Sequence, residues 1–182
     1  MCIRDRIRIG LTNSARVTGD SSRVVGYGSW FLYEGEKNQY IKEYFSDTVL
    51  KICKDSILSG FQLGEIKPKD YPCVLEEYGA AFVTLELAGI LRGCIGSIIA
   101  HRPLVKDLIK NAHAAAFADP RFNPLTLDEY NKISISVSLL SKPERIEFKD
   151  EEDLLDKLIP NKDGLIIRDG NYQSVFLPIV WE

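Results

Sequence analysis

The chain is poor in the residues that most metal and redox sites need. It has two histidines, four cysteines, one methionine and two tryptophans in 182 residues. The cysteines stand at 2, 53, 73 and 94, so no CxxC pair occurs and no close spacing suggests a zinc site or a disulfide framework. The expectation is reduced thiols in a cytoplasmic protein that holds neither metal nor cofactor. No apolar run approaches the roughly 20 residues that span a bilayer, so no membrane segment is expected. The opening Met1-Cys2-Ile3-Arg4-Asp5-Arg6-Ile7-Arg8 alternates charge and lacks the apolar centre of a secretory signal. Excess positive charge is also missing. The net charge is -3 and the pI about 5.5, which argues against broad phosphate binding and so against a nucleic-acid partner. No P-loop, GxGxxG or Ser-His-Asp order is present.

What is present is a soluble globular profile, 45% hydrophobic and 27% charged, in a length that suits one domain or one domain plus a fragment. A composition break divides it. The basic residues before position 34 are all arginine (Arg4, Arg6, Arg8, Arg16 and Arg23), and the first lysine is Lys37. Residues 1–33 carry five positive and two negative charges, leaving 18 and 24 of the chain's 23 and 26 for the rest. The two segments are expected to meet at a polar linker, residues 34–40, which opens with Glu34-Gly35-Glu36-Lys37-Asn38.

The first segment contains two strand-like runs around the turn cluster Thr18-Gly19-Asp20-Ser21-Ser22. From Ile41 the period changes to three and four, through Tyr44, Phe45, Thr48, Val49, Ile52, Cys53 and Ile57, which predicts an amphipathic helix ending at Gly60. Ser46 offers an inner start to that helix, and Cys53 lies on its apolar face as a small core residue. Cys73-Val74-Leu75 reads as a short extended piece. Residues 80–87 alternate as a strand, Ala88-Gly89 fits a two-residue turn, and residues 90–98 return as a second strand. Pro103 suits a helix start, with Leu104, Leu108, Ile109, Ala112, Ala115 and Ala116 as the stripe behind it. Thr126 with Glu129 reads as a capping box. Ile133, Ile135, Val137 and Leu139 alternate with Ser134, Ser136 and Ser138 as a strand. Asp150 opens an acidic helix over 151–158, and residues 164–177 form a final hairpin about Asp169-Gly170-Asn171. Helices and hairpins mix without regular alternation, so the predicted class is α+β with a mostly antiparallel sheet.

The chemistry gathers in Leu91-Arg92-Gly93-Cys94-Ile95-Gly96, an LRGCIG motif. Strand interiors avoid glycine, so Gly93 and Gly96 mark a close approach by another backbone or a ligand. Cys94 is the candidate nucleophile. Such a thiol needs a nearby cation or helix N-terminus and a base. Arg92, two residues away, would share its face in a regular strand, to favour a thiolate or hold an anionic group. The other reading makes Cys94 a small structural or ligand-lining residue. His101 is either a base folded back toward Cys94 or a packing residue, and His113 is a helical one. Arg121, between Asp119 and Phe122, either clamps an anion or pins its loop through Asp119.

Two resemblances follow. Asn13-Ser14-Ala15-Arg16-Val17-Thr18-Gly19-Asp20 with Ser22-Arg23-Val24-Val25-Gly26-Tyr27 resembles the closing segment of the Memo family. The histidines that would bind metal in a dioxygenase-like fold are absent from it, so no such chemistry carries over. The LRGCIG motif, Ala100-His101-Arg102-Pro103-Leu104, Ala114-Ala115-Ala116-Phe117 with Asp119-Pro120-Arg121-Phe122, Asp163-Gly164-Leu165-Ile166-Ile167, and Phe176-Leu177-Pro178 with Val180-Trp181-Glu182 together resemble the AMMECR domain family. That resemblance implies an α+β fold with a cleft near the motif, and the candidate binding residues are Gly93, Gly96, His101 and Arg121. It implies company with a Memo-like domain and a radical-SAM protein in an AmmeMemoRadiSam-type system. It supplies no established reaction. The expected organisation is a Memo-like remnant over 1–33, a linker over 34–40 and an AMMECR-like domain over 41–182. The family's chain continues beyond Pro-x-Val-Trp-Glu, so the sequence is expected to be a fragment of a Memo–AMMECR fusion. The expected role is a binding or accessory subunit that takes a small-molecule or peptide ligand. The alternative is an enzyme using Cys94, with Arg92 on an anionic substrate group.

Overall fold

A computed structural model describes residues 5–13, 26–33, 37–63, 71–160 and 163–176. It divides into two compact units, residues 1–142 and 143–182.

The first unit opens with a hairpin. Strand β1 (Asp5–Asn13) pairs antiparallel with β2 (Gly26–Tyr33), with a register shift between Arg8 and Gly10. The turn cluster at 18–22, and most of the Memo-like run, lie outside the described residues.

Helix α1 covers Lys37–Gly60. It starts four residues before Ile41, inside the stretch read as linker, and runs through Ser46 without a new start. Tyr40 holds the extra turn by ring contacts with Tyr44 at 4.9 Å and Phe45 at 5.7 Å. Lys37 Nζ donates to the Tyr78 carbonyl at 2.7 Å. Ile41, Val49, Ile52, Cys53 and Ile57 form the buried face, as the period predicts, while Tyr44 points outward. Gly60 does end the helix, but by packing rather than left-handed backbone. A Cβ there would lie 2.2 Å from the Phe117 ring, and the positive φ falls at Gln62 instead.

Cys73–Glu76 is a single helical turn, α2, and not an extended piece. Pro72 starts it, and the turn lets the consecutive Val74 and Leu75 both enter the core. Strands β3 (Ala80–Leu87), β4 (Ile90–Gly96) and β5 (Ile133–Leu140) form an antiparallel sheet in the order β4-β3-β5. Ala88 and Gly89 both have positive φ, +53° and +78°, as a tight I′ connection requires. Strand β4 stops at Gly96 rather than at 98: the Ser97 N–H still donates to the Ala81 carbonyl as a last rung, but the Ala81 N–H turns away to Asp107 Oδ2 at 3.0 Å.

Helix α3 (Leu104–Phe117) follows Pro103 and covers one sheet face. Leu104, Leu108, Ala112, Ala115 and Ala116 pack there with Ala81, Val83 and Leu85 to form the core, which α1 completes. The alanines allow the approach: a Cβ on Gly93 would sit 2.1 Å from the Ala115 carbonyl oxygen. The other face carries Phe82, Thr84, Cys94 and, on β5, Ser134, Ser136 and Ser138. Helix α4 (Leu127–Tyr130) has both halves of the capping box between Thr126 and Glu129.

The second unit has helix α5 (Glu151–Lys157), with the Asp150 side chain accepting the Asp153 N–H at 2.9 Å. The hairpin β6 (Leu165–Asp169) and β7 (Tyr172–Phe176) turns at Gly170, φ +55°. Helices mixed with antiparallel sheets make this an α+β fold. No helix of the described residues is long and apolar enough to cross a membrane.

Candidate functional site

The ladder between β3 and β4 pairs Leu85 with Gly93 and Glu86 with Leu91. Arg92 is therefore an extra residue, a bulge, and the alternation that would place it beside Cys94 is broken there. Its guanidinium is instead committed to Glu129: Nε donates to Oε1 at 2.9 Å and Nη2 to Oε2 at 3.1 Å. Nη2 also donates to the Asn123 carbonyl at 3.0 Å. Glu129 accepts the Thr126 N–H and hydroxyl, both at 2.9 Å. These donors, Arg92 first, pull its pKa down to about 2.

Cys94 lies opposite Thr84, with Sγ 3.2 Å from Thr84 Oγ1, and is half-buried. Its backbone faces outward from β4. The N–H donates to Asp119 Oδ2 at 2.9 Å, and its carbonyl accepts from Arg121 Nη2 at 3.1 Å. Arg121 also grips Asp119 with two side-chain bonds, at 3.0 and 2.7 Å. Asp119 is 2% exposed, and the Arg121 guanidinium holds its carboxyl well below the usual carboxylate range. Arg121 is raised in turn, chiefly by Asp119. Both guanidiniums approach Phe122, at 5.8 Å for Arg92 and 5.5 Å for Arg121. The loop after α3 is thus fixed to the strand edge by two arginine–carboxylate pairs.

The structure brings Arg92, Cys94 and Arg121 to one loop–strand junction. Gly93 and Gly96 are explained within the protein: Gly93 by the Ala115 backbone, Gly96 by the Phe82 ring, 2.2 Å from a built Cβ. His101 is exposed and directs Nδ1 to the Ile99 carbonyl at 2.9 Å; no hydrogen bond joins it to Cys94 among the described residues. His113 lies against the Phe117 ring at 4.9 Å.

Sequence reasoning missed a second polar cluster. Asp107, fully buried, accepts the Ala81 N–H at 3.0 Å, the Ser97 hydroxyl at 2.7 Å, Arg102 Nε at 2.8 Å and Asn111 Nδ2 at 3.0 Å. Asn111 Nδ2 also donates to the Ala81 carbonyl at 3.0 Å. The signal was there: Asp107 and Asn111, four apart, interrupt the stripe of Leu104, Leu108 and Ala112. This cluster closes the ends of β3 and β4 onto α3. Among the described residues, no three His, Cys, Asp or Glu side chains group to hold a metal ion.

Comparison with known proteins agrees with the motifs. The AMMECR1 family pattern matches residues 50–182. A Saccharolobus islandicus protein, LS215_2104, is 41% identical over 134 residues, 71% of this chain and 59% of its own length. Pyrococcus furiosus protein PF1979 is 40% identical over 147 residues, 77% of this chain and 70% of its own. The crystal structure of the uncharacterized protein PH0010 from Pyrococcus horikoshii superposes with a TM-score of 0.68 at 37% identity, covering 73% of this chain and 68% of that one. The chain belongs to the AMMECR1 family. It spans about three-fifths of the length of the first curated relatives it matches.

Proposed function

We propose that the AMMECR1 part of this chain is a non-catalytic binding domain, an accessory subunit of an AmmeMemoRadiSam-type modification system in the cytoplasm. One observation carries this reading. Both cations near Cys94 are already paired with carboxylates, and the thiol has a Thr84 hydroxyl beside it where a nucleophile needs a base. Residues 1–33 are then a Memo-like remnant, 34–40 a junction, and 41–182 the AMMECR-like domain. A Memo-like domain and a radical-SAM protein are the partners, and a small-molecule or peptide ligand would sit at the Cys94 junction.

Alkylation of the full chain across pH tests this, with Cys53 as the buried control. The expected result is no rapid Cys94 alkylation in mildly acidic buffer, and partner binding that survives Cys94→Ser. A Cys94 that reacts at full rate in mildly acidic buffer would establish the alternative, an enzyme with Cys94 as nucleophile and Arg92 released from Glu129 onto an anionic group.

A further inference from the structure

One peptide bond in the loop after α3 has the parts of a reaction around it. Of the chain's eight prolines only Pro120 follows an aspartate. Its bond to Asp119 is a tertiary amide, which leaves as a secondary amine once the nitrogen takes a proton. The Asp119 carboxylate belongs to the same residue as the carbonyl it would attack, so no partner has to be brought to it. Residues 119–122 form a turn, closed by the Phe122 N–H donating to the Asp119 carbonyl at 3.1 Å. That donor polarises the carbonyl and would stabilise the charge that develops on its oxygen. Pro120 is exposed, so solvent acid and water reach the bond.

The nucleophile is the one part held back. Asp119 Oδ1 accepts the Arg121 N–H at 3.1 Å and Arg121 Nε at 3.0 Å. Oδ2 accepts the Cys94 N–H at 2.9 Å and Arg121 Nη2 at 2.7 Å. An oxygen that turns to its own carbonyl carbon gives up such bonds, and those from a guanidinium cost the most to lose. We infer that Asp119–Pro120 is a latent self-cleavage site, held shut by the grip of Arg121 on the Asp119 carboxylate. In the step, a carboxylate oxygen of Asp119 bonds to the main-chain carbonyl carbon, and the bond from that carbon to the Pro120 nitrogen breaks. The electron pair stays on nitrogen, which leaves as an amine with a proton taken from solvent acid. One water then opens the cyclic anhydride that remains. Residues 1–119 end in a free α-carboxyl with the Asp119 side chain restored, and residues 120–182 begin with the proline amine. Water is the only co-reactant, and nothing is oxidised or reduced.

The test is mass spectrometry of the full chain kept warm at pH about 4, near the ordinary aspartate pKa, with the fold followed by circular dichroism in the same sample. Folded wild type should stay whole while the same chain unfolded in urea divides into residues 1–119 and 120–182. Folded Arg121→Gln should give those two fragments at least about tenfold faster than folded wild type, since fewer charge-assisted bonds hold the attacking oxygen. If Arg121→Gln does not stay folded, Arg121→Lys, which keeps the charge and loses the fork, is read in its place. Adding Pro120→Ala to either variant should suppress the cut by removing the tertiary amide. Folded wild type that divides as fast as the unfolded chain would overturn the inference. So would a folded Arg121 variant that stays as whole as wild type, or an unfolded chain that does not divide at this bond.

Discussion

Two glycines of one motif have unequal jobs. Gly93 faces backbone that cannot move without shifting α3, while Gly96 faces a ring that can rotate. Gly93→Ala should therefore cost about 1–3 kcal/mol or more, and Gly96→Ala clearly less, in urea denaturation. Equal losses would mean that Phe82 is as fixed as the helix. Cys53 makes a second prediction. Burial pushes its thiol up from 9.0 to about 12. Its raised value favours the folded, protonated form below pH 9, and that contribution is lost as pH rises from 9 toward 12. Wild type should lose stability relative to Cys53→Ala across that alkaline window. Cys53 was legible in the sequence because position on a helix face fixes burial. The side-chain partners of Arg92 were not, because a bulge leaves no trace in alternation and Glu129 is distant in sequence.

At the level of elements, the loop between α3 and α4 and the closure around Asp107 make separate predictions. The folded pKa of Glu129, about 2, lies below its ordinary 4.5. The Arg92–Glu129 pair therefore contributes stability in full above pH 4.5 and loses it as pH falls toward 2. The stability gap between wild type and Glu129→Gln should be constant near neutrality and close across that acid window, as read by denaturation at each pH. Asp107→Ala should be far more damaging, about 3–5 kcal/mol, since it strands Arg102 and the Ala81 N–H in a buried site. A loss near that of a surface change would show that the cluster relaxes around water. The β3–β4 hairpin and the capping box could be read from local signals, Ala88-Gly89 and Thr126 with Glu129. The first turn of α1 and the turn at Cys73 could not. Each depends on tertiary contacts, Tyr78 for Lys37 and the core for Val74 and Leu75, that override a polar or a short apolar stretch.

For the whole molecule, the central position of β3 sets the order of opening. Amide exchange should be slowest in β3 and on the buried face of α3, and the Cys94 and Ala81 amides should be protected through their aspartate acceptors. Loss of Cys94 amide protection in Asp119→Ala, with β3 unchanged, would separate the loop from the core. The sheet also has a consequence for synthesis. The hairpin β3–β4 closes locally, but the second neighbour of β3 ends only at Leu140. From Gly96 to Leu140, 44 residues must leave the ribosome in between, a delay of about two to nine seconds at roughly 5–20 residues per second. Through that interval one edge of β3 stays unpaired, and until α3 has followed, the apolar row of Ala81, Val83 and Leu85 is open beside it, which makes this window, rather than the finished protein, the time when it most needs a chaperone.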